Sequence, residues 1–153
     1  MLRPIRCLTV AAVILLTVLV APALAATQPA AGAFVEAPET ILDERQSGGN
    51  TFIHLTRDAA FTGTYTGIGH ADQRIVIHED GSFNVHMTIE FTGVVCGQPA
   101  ELVFLITAKG DFTTDVIAGT YTVTGPAPVG HGNGRFSGQP GVGGTYDGKV
   151  DCD

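Results

Sequence analysis

Between residues 74 and 91 the chain alternates apolar and polar side chains with a period of two on both sides of Glu79-Asp80-Gly81. Phe83, Val85, Met87, Ile89 and Phe91 alternate with Asn84, His86, Thr88 and Glu90, and Ile75 and Ile77 alternate with Arg74, Val76 and His78. This is an antiparallel hairpin with one buried face. Directly paired residues share a face, so the loop length decides which sets meet. A two-residue loop would set Ile77 against Asn84 and mix the faces. A three-residue loop with Gly81 left-handed sets Ile77 against Phe83 and Ile75 against Val85, giving one continuous apolar face. The sequence therefore predicts a type I turn with a glycine bulge.

The same grammar runs on from Thr51. Thr, Val, Ile and Phe dominate, with turn residues recurring about every eight to twelve positions, the spacing of a sandwich or barrel rather than of βαβ units. Glu101 to Ala108 is apolar on both faces through Leu102-Val103-Phe104-Leu105-Ile106, which predicts a strand buried inside and covered outside, by the preceding segment or by a second subunit. Asp115 to Thr124 reads as a strand with Ile117, Tyr121 and Val123 on one side. Gly125 to Gly144 is dense in glycine and proline and reads as corners and bulges. It is no phosphate loop, since it lacks the Gly-Lys-Ser/Thr ending.

Ahead of this pattern stand two other segments. Residues 1–25 carry Arg3 and Arg6, an apolar run from Cys7 to Val20, and the small-x-small triplet Ala23-Leu24-Ala25, the layout of a secretory signal peptide. The run is about fourteen residues, short of the roughly 20 that span hydrocarbon. Cys7 stands at the start of the run rather than after it, so it is not a lipid-attachment site. Residues 26–49 hold Ala, Pro and Gly clusters and then Gln46-Ser47-Gly48-Gly49, and read as a flexible lead-in with a short ordered stretch around Thr40 to Leu42. The barrel domain is then 50–153, and the protein is secreted or extracytoplasmic.

Export changes two quantities. Loss of Arg3 and Arg6 takes the formal charge from −7 to −9, because six Lys and Arg then face 15 Asp and Glu. That balance argues against nucleic acid, and against an anionic membrane, as a partner after cleavage. Loss of Cys7 leaves Cys96 and Cys152, and an isolated pair in an oxidising compartment is expected to form a disulfide.

Five segments belong together: Phe61-Thr-Gly-Thr-Tyr-Thr-Gly67, Glu79-Asp-Gly-Ser-Phe83, Gly119-Thr-Tyr-Thr-Val123, Gly132-Asn-Gly-Arg-Phe-Ser-Gly138 and Gly143-Gly-Thr-Tyr-Asp-Gly148. Their succession resembles the bacterial allene-oxide-cyclase-like barrel domains. The resemblance implies an all-β fold, a small antiparallel β-barrel of about eight strands whose lumen can hold a small apolar ligand. Its plant members cyclise a fatty-acid epoxide, and no catalytic motif of theirs matches here residue by residue. Avidin-type and lipocalin barrels place Trp at the mouth or in the lumen, and this chain has none.

Three kinds of site can be weighed. His78 and His86, with His70 nearby and Glu90 on the same face, form a candidate zinc set, although that face reads as the hydrated outer wall and Arg74 stands across from His86. Glu90 with Tyr65 or Tyr121 is a candidate acid–base set, provided Glu90 points inward, where burial would raise its pKa. The hairpin register puts Glu90 outside. No cofactor is called for. Three functions remain: a secreted module binding a small apolar ligand, a cyclase or isomerase using the same cavity, and a structural domain with a packed barrel. A homo-oligomer is compatible with each.

Overall fold

The computed structural model describes residues 26–126 and 129–152. Residues 1–25, where the sequence suggests a signal peptide, lie outside the described residues. Nine strands and no helix make up the described chain: β1 Ala26–Glu36, β2 Thr40–Ser47, β3 Asn50–Gly63, β4 Tyr65–Ile77, β5 Ser82–Val95, β6 Gln98–Asp111, β7 Val116–Thr124, β8 His131–Gln139 and β9 Gly143–Cys152. From β3 to β9 each strand pairs antiparallel with the next, and β1 pairs with both β9 and β3. The result is a closed eight-stranded antiparallel barrel in which β2 is the extra strand.

The β4–β5 hairpin takes the register the alternation requires. Ile77 pairs with Phe83, Ile75 with Val85 and Arg74 with His86. The Gly81 N–H donates to His78 O at 3.0 Å, His78 N–H donates to Ser82 O at 2.8 Å, and Gly81 has φ 87°. This is the type I turn plus glycine bulge. The β5–β6 connection is tighter: only Cys96 and Gly97 separate the pair Val95–Gln98, and both have positive φ.

Two expectations about the chain ends of this pattern do not hold. Residues 26–49 are no flexible lead-in. Phe34 pairs with Phe61 of β3 on one side and Gly144 of β9 on the other, so β1 closes the barrel. The barrel domain therefore takes in β1 and β2, ahead of residue 50. Pro29 is tolerated because β1 pairs with β3 only from Gly32 onward, leaving residues 26–31 with β9 as their single strand partner. The second correction concerns Gly125 to Gly144, where His131–Gln139 is a regular strand rather than a run of corners. Its glycines make room for rings: a Cβ on Gly134 would collide with the Tyr121 ring, and one on Gly132 would crowd the Tyr65 hydroxyl. In a small barrel the bulky inward side chains of one wall need gaps in another.

The outer apolar face of β6 is also not covered by the segment before the barrel. Val103 and Leu105 are 37% and 52% exposed, and β6 is flanked by β5 and β7, away from β1.

The lumen is uneven from end to end. At the end holding the β3–β4 and β5–β6 turns, Tyr65, Phe91, Phe104 and Tyr146 pack ring on ring, with centroid separations of 5.0 Å for Tyr65–Phe104 and 5.4 Å for Tyr65–Tyr146. The Tyr146 hydroxyl accepts from the Tyr65 N–H at 3.0 Å and donates to Thr62 O at 2.9 Å, fixing the β3–β4 turn. Cys96 and Cys152 are disulfide-bonded at the same end, with Cα atoms 6.0 Å apart. That end is closed.

Candidate functional site

The other end is open. Above the level where β1 ends, β3 and β4 continue upward through Thr51–Ile77, with β2 filling the place beside β3. The inward side chains there do not fill the space. They leave a chamber of about 250 Å³ between a floor of Phe61, Phe104, Tyr121 and Tyr146 and a mouth at the β1–β2, β6–β7 and β8–β9 turns. Its walls are aliphatic and aromatic: Ile53, Leu55, Ile75, Val85, Met87 and Ile106 among them.

Two polar side chains interrupt that lining on the β3–β4 wall, and Glu36, Glu39 and Gln139 stand nearer the mouth. On β3 the inward positions run Ile53, Leu55, Arg57, Ala59, Phe61; on β4 they run Gly69, Ala71, Gln73, Ile75, Ile77. Arg57 and Gln73 are 8% and 5% exposed. Arg57 pairs with Ala71 and Gln73 with Leu55, so the two lie one diagonal step apart on the same inner face. One Arg57 terminal nitrogen meets Glu36 Oε2 at 2.8 Å and the other meets Glu39 Oε2 at 3.4 Å. Burial raises the Glu36 pKa above its ordinary value, while the Arg57 charge and a Gly141 N–H pull it back. Arg57 Nε and Gln73 Nε2 are buried with no partner in the chain. A buried donor left unpaired costs about 1–3 kcal/mol. The chamber is thus an apolar pocket with a donor pair halfway up one wall.

Arg57, Gln73, Glu36 and Glu39 are not among the sites the sequence suggests. The structure separates those that are. Glu90 is exposed on the outer wall, paired with His70 on one side and Val103 on the other, while Tyr65 and Tyr121 point into the barrel. The proposed acid–base set is therefore not assembled. His86 is exposed across from Arg74, and His78 sits by the β4–β5 turn, where Asn50 Oδ1 lies 3.0 Å from Nδ1 and Asn84 Nδ2 donates to Nε2 at 2.7 Å. Both ring nitrogens of His78 are thus engaged. Among the described residues no group of three or more His, Cys, Asp or Glu side chains converges as a metal site.

The tyrosines carry a pH signature instead. Burial pushes the Tyr121 hydroxyl up to about 12 and raises those of Tyr65 and Tyr146, and these are the only three tyrosines. In the unfolded chain a tyrosine ionises near 10. Between that value and the folded ones the native state holds protons that the unfolded state releases, so the stability they contribute is complete below about pH 10 and is lost as pH rises through the folded values. With no Trp present, absorbance at 295 nm should report tyrosinate in one cooperative step that coincides with loss of the β-sheet circular dichroism signal. A gradual titration centred near pH 10 with the fold intact would contradict the burial.

No family model matches the chain, and no curated protein does. A solved structure similar to it is that of a protein of unknown function of the DUF3224 family from Shewanella oneidensis MR-1, with 14% sequence identity, 84% of this chain and 98% of that one covered, and a TM-score of 0.62. At that identity the likeness establishes a shared barrel fold and carries no activity.

Proposed function

We propose that the protein is an exported barrel that shelters a small apolar molecule in its lumen. The observation carrying this reading is the chamber itself: about 250 Å³ of apolar space with one open mouth, above a floor of tightly packed rings. A barrel serving only as a structural block has no use for a hollow upper half, because empty apolar space forfeits dispersion contacts. Scaling from cavities of 150 Å³ that hold benzene, the chamber suits about ten non-hydrogen atoms. Export is supported by residues 1–25 as a signal peptide and by the Cys96–Cys152 disulfide, which suits an oxidising compartment. A cyclase role of the allene-oxide-cyclase type draws no support from the pocket, whose carboxylates, Glu36 and Glu39, are both engaged by Arg57.

Titration of the chain from Ala26, which contains every described strand of the barrel, with propylbenzene tests the reading. Nuclear magnetic resonance shifts should concentrate on the Ile75, Val85, Met87 and Ile106 methyl groups. Ala71 lines the chamber and is 1% exposed. Ala71→Leu should fill part of the space and weaken binding at least about tenfold with the circular dichroism spectrum unchanged, since a tenfold loss is only 1.4 kcal/mol. Shifts confined to the outer wall, or binding indifferent to Ala71→Leu, would refute the lumen as the site.

A further inference from the structure

The polar side chains of the chamber constrain the ligand beyond its being apolar. Arg57 does not offer its charge: Glu36 and Glu39 occupy its two terminal nitrogens, so one cation stands against two carboxylates inside the mouth. Outside that, the turns framing the mouth bring Glu79 and Asp80, then Asp111 and Asp115, with Glu44 on β2. Arg45, over the Phe52 ring at 4.7 Å, Lys109 near the end of β6 and Arg74 further down β4 are the cations placed on the same strands. A carboxylate-headed amphiphile would approach through negative potential and reach a guanidinium already neutralised.

What remains unpaired on the wall is a pair of hydrogen-bond donors, with the Tyr121 hydroxyl also unpaired on the floor below. Arg57 Nε can only donate, and the Gln73 amide, one diagonal step away, is buried with its Nε2 also unpaired. A cationic head would bring more donors to them and would have to stay at the rim. A hydrocarbon would fit the walls and leave both donors as they are. An uncharged oxygen acceptor on an apolar body answers both donors without meeting the carboxylates.

We infer that the lumen selects a neutral apolar molecule bearing one carbonyl-type acceptor, seated between Gln73 and Arg57, and rejects carboxylates of the same size. This inference rests on the proposed lumen binding and specifies its ligand class. Three matched compounds of about ten non-hydrogen atoms test it against the chain from Ala26 at pH 7, with affinities read from nuclear magnetic resonance titrations: propylbenzene, propiophenone and 3-phenylpropanoate. The ketone should bind about tenfold more tightly than the hydrocarbon, the scale of one net hydrogen bond, and at least about tenfold more tightly than the carboxylate. Gln73→Met, close in shape and without the amide, should erase most of the ketone's advantage, read as the ratio of propiophenone to propylbenzene affinity within the variant. The wild-type ratios need no variant, so they stand as a test even if Gln73→Met fails to fold. Equal affinity for ketone and hydrocarbon, or tighter binding of the carboxylate, would overturn the selection while leaving the lumen as a binding site. Failure of all three to bind would overturn both.

Discussion

Arg57→Met should lower the free energy of unfolding by about 3–5 kcal/mol at pH 8, the usual penalty for removing one partner of a buried ion pair. The effect belongs chiefly to Glu36. Its side chain is 15% exposed and its carboxylate lies 2.8 Å from the guanidinium, so the substitution strands a negative charge in the chamber wall. Glu39 is half-exposed and rehydrates at little cost. Burial already raises the Glu36 pKa, and without Arg57 nothing cationic opposes that rise. A raised folded pKa contributes stability below the unfolded value and loses it as pH climbs through the folded one. The variant should therefore be less destabilised near pH 5 than at pH 8. Arg57→Met combined with Glu36→Gln should recover most of the loss, because a neutral lining replaces the pair. Urea denaturation of the single and double variants at both pH values measures this. A single variant as stable as the parent at pH 8 would mean that water screens the pair and that the chamber is wetter than its lining implies.

The sheet was legible where side chains on one strand constrain those on another. At Glu79-Asp80-Gly81 a one-residue change in loop length would have moved every apolar residue of β5 off the face of Ile75 and Ile77, so pattern and turn chemistry gave a single answer. β1 offered no such constraint. Ala30, Ala31, Gly32 and Ala33 have weak strand preference and Pro29 argues against a strand, yet pairing with β9 and β3 makes one. β8 misled for a related reason. Gly132 and Gly134 look like corner residues in isolation, and only the Tyr65 hydroxyl across the lumen and the Tyr121 ring on the neighbouring strand explain them as clearance. Both cases turn on contacts between residues far apart in sequence.

The candidate site was partly written in the phase of the alternation. Arg57 falls in the inward register of Leu55, Ala59 and Phe61, and Gln73 in that of Ala71 and Ile75, so each is a polar residue at a position that should be apolar. That mismatch is a stronger signal than the histidines of the outer wall, whose phase matches hydrated neighbours. Glu36 could not have been found the same way. It caps a strand that local propensity does not reveal, and its meaning depends on an arginine 21 positions further along.

Breaking the disulfide should be the other large loss, about 4 kcal/mol for a bridge closing a separation of 56 residues. For a small domain with a total of about 5–15 kcal/mol that is a large fraction, and the melting temperature should fall on the order of 15 °C. The bond joins the β5–β6 turn to the last residue of β9, which pairs with Ala26 at the start of β1. Freed, the β1–β9 seam keeps at that end the ladder and the Thr27–Asp151 hydrogen bond at 2.7 Å, so amide exchange should quicken there first. Cys96 has φ 54°, a conformation asparagine tolerates better, so Cys96→Asn with Cys152→Ala removes the link while easing the turn and separates the two contributions. The mouth lies at the opposite end of the barrel, and the Arg57–Gln73 pair lies about midway along it. Ligand affinity of the folded fraction should consequently be unchanged by reduction even as the melting temperature drops. A shift of only a few degrees on reduction would show that the ring-packed floor and the sheet close the barrel without the bridge. A parallel loss of affinity would show that the two ends of the lumen are not mechanically independent.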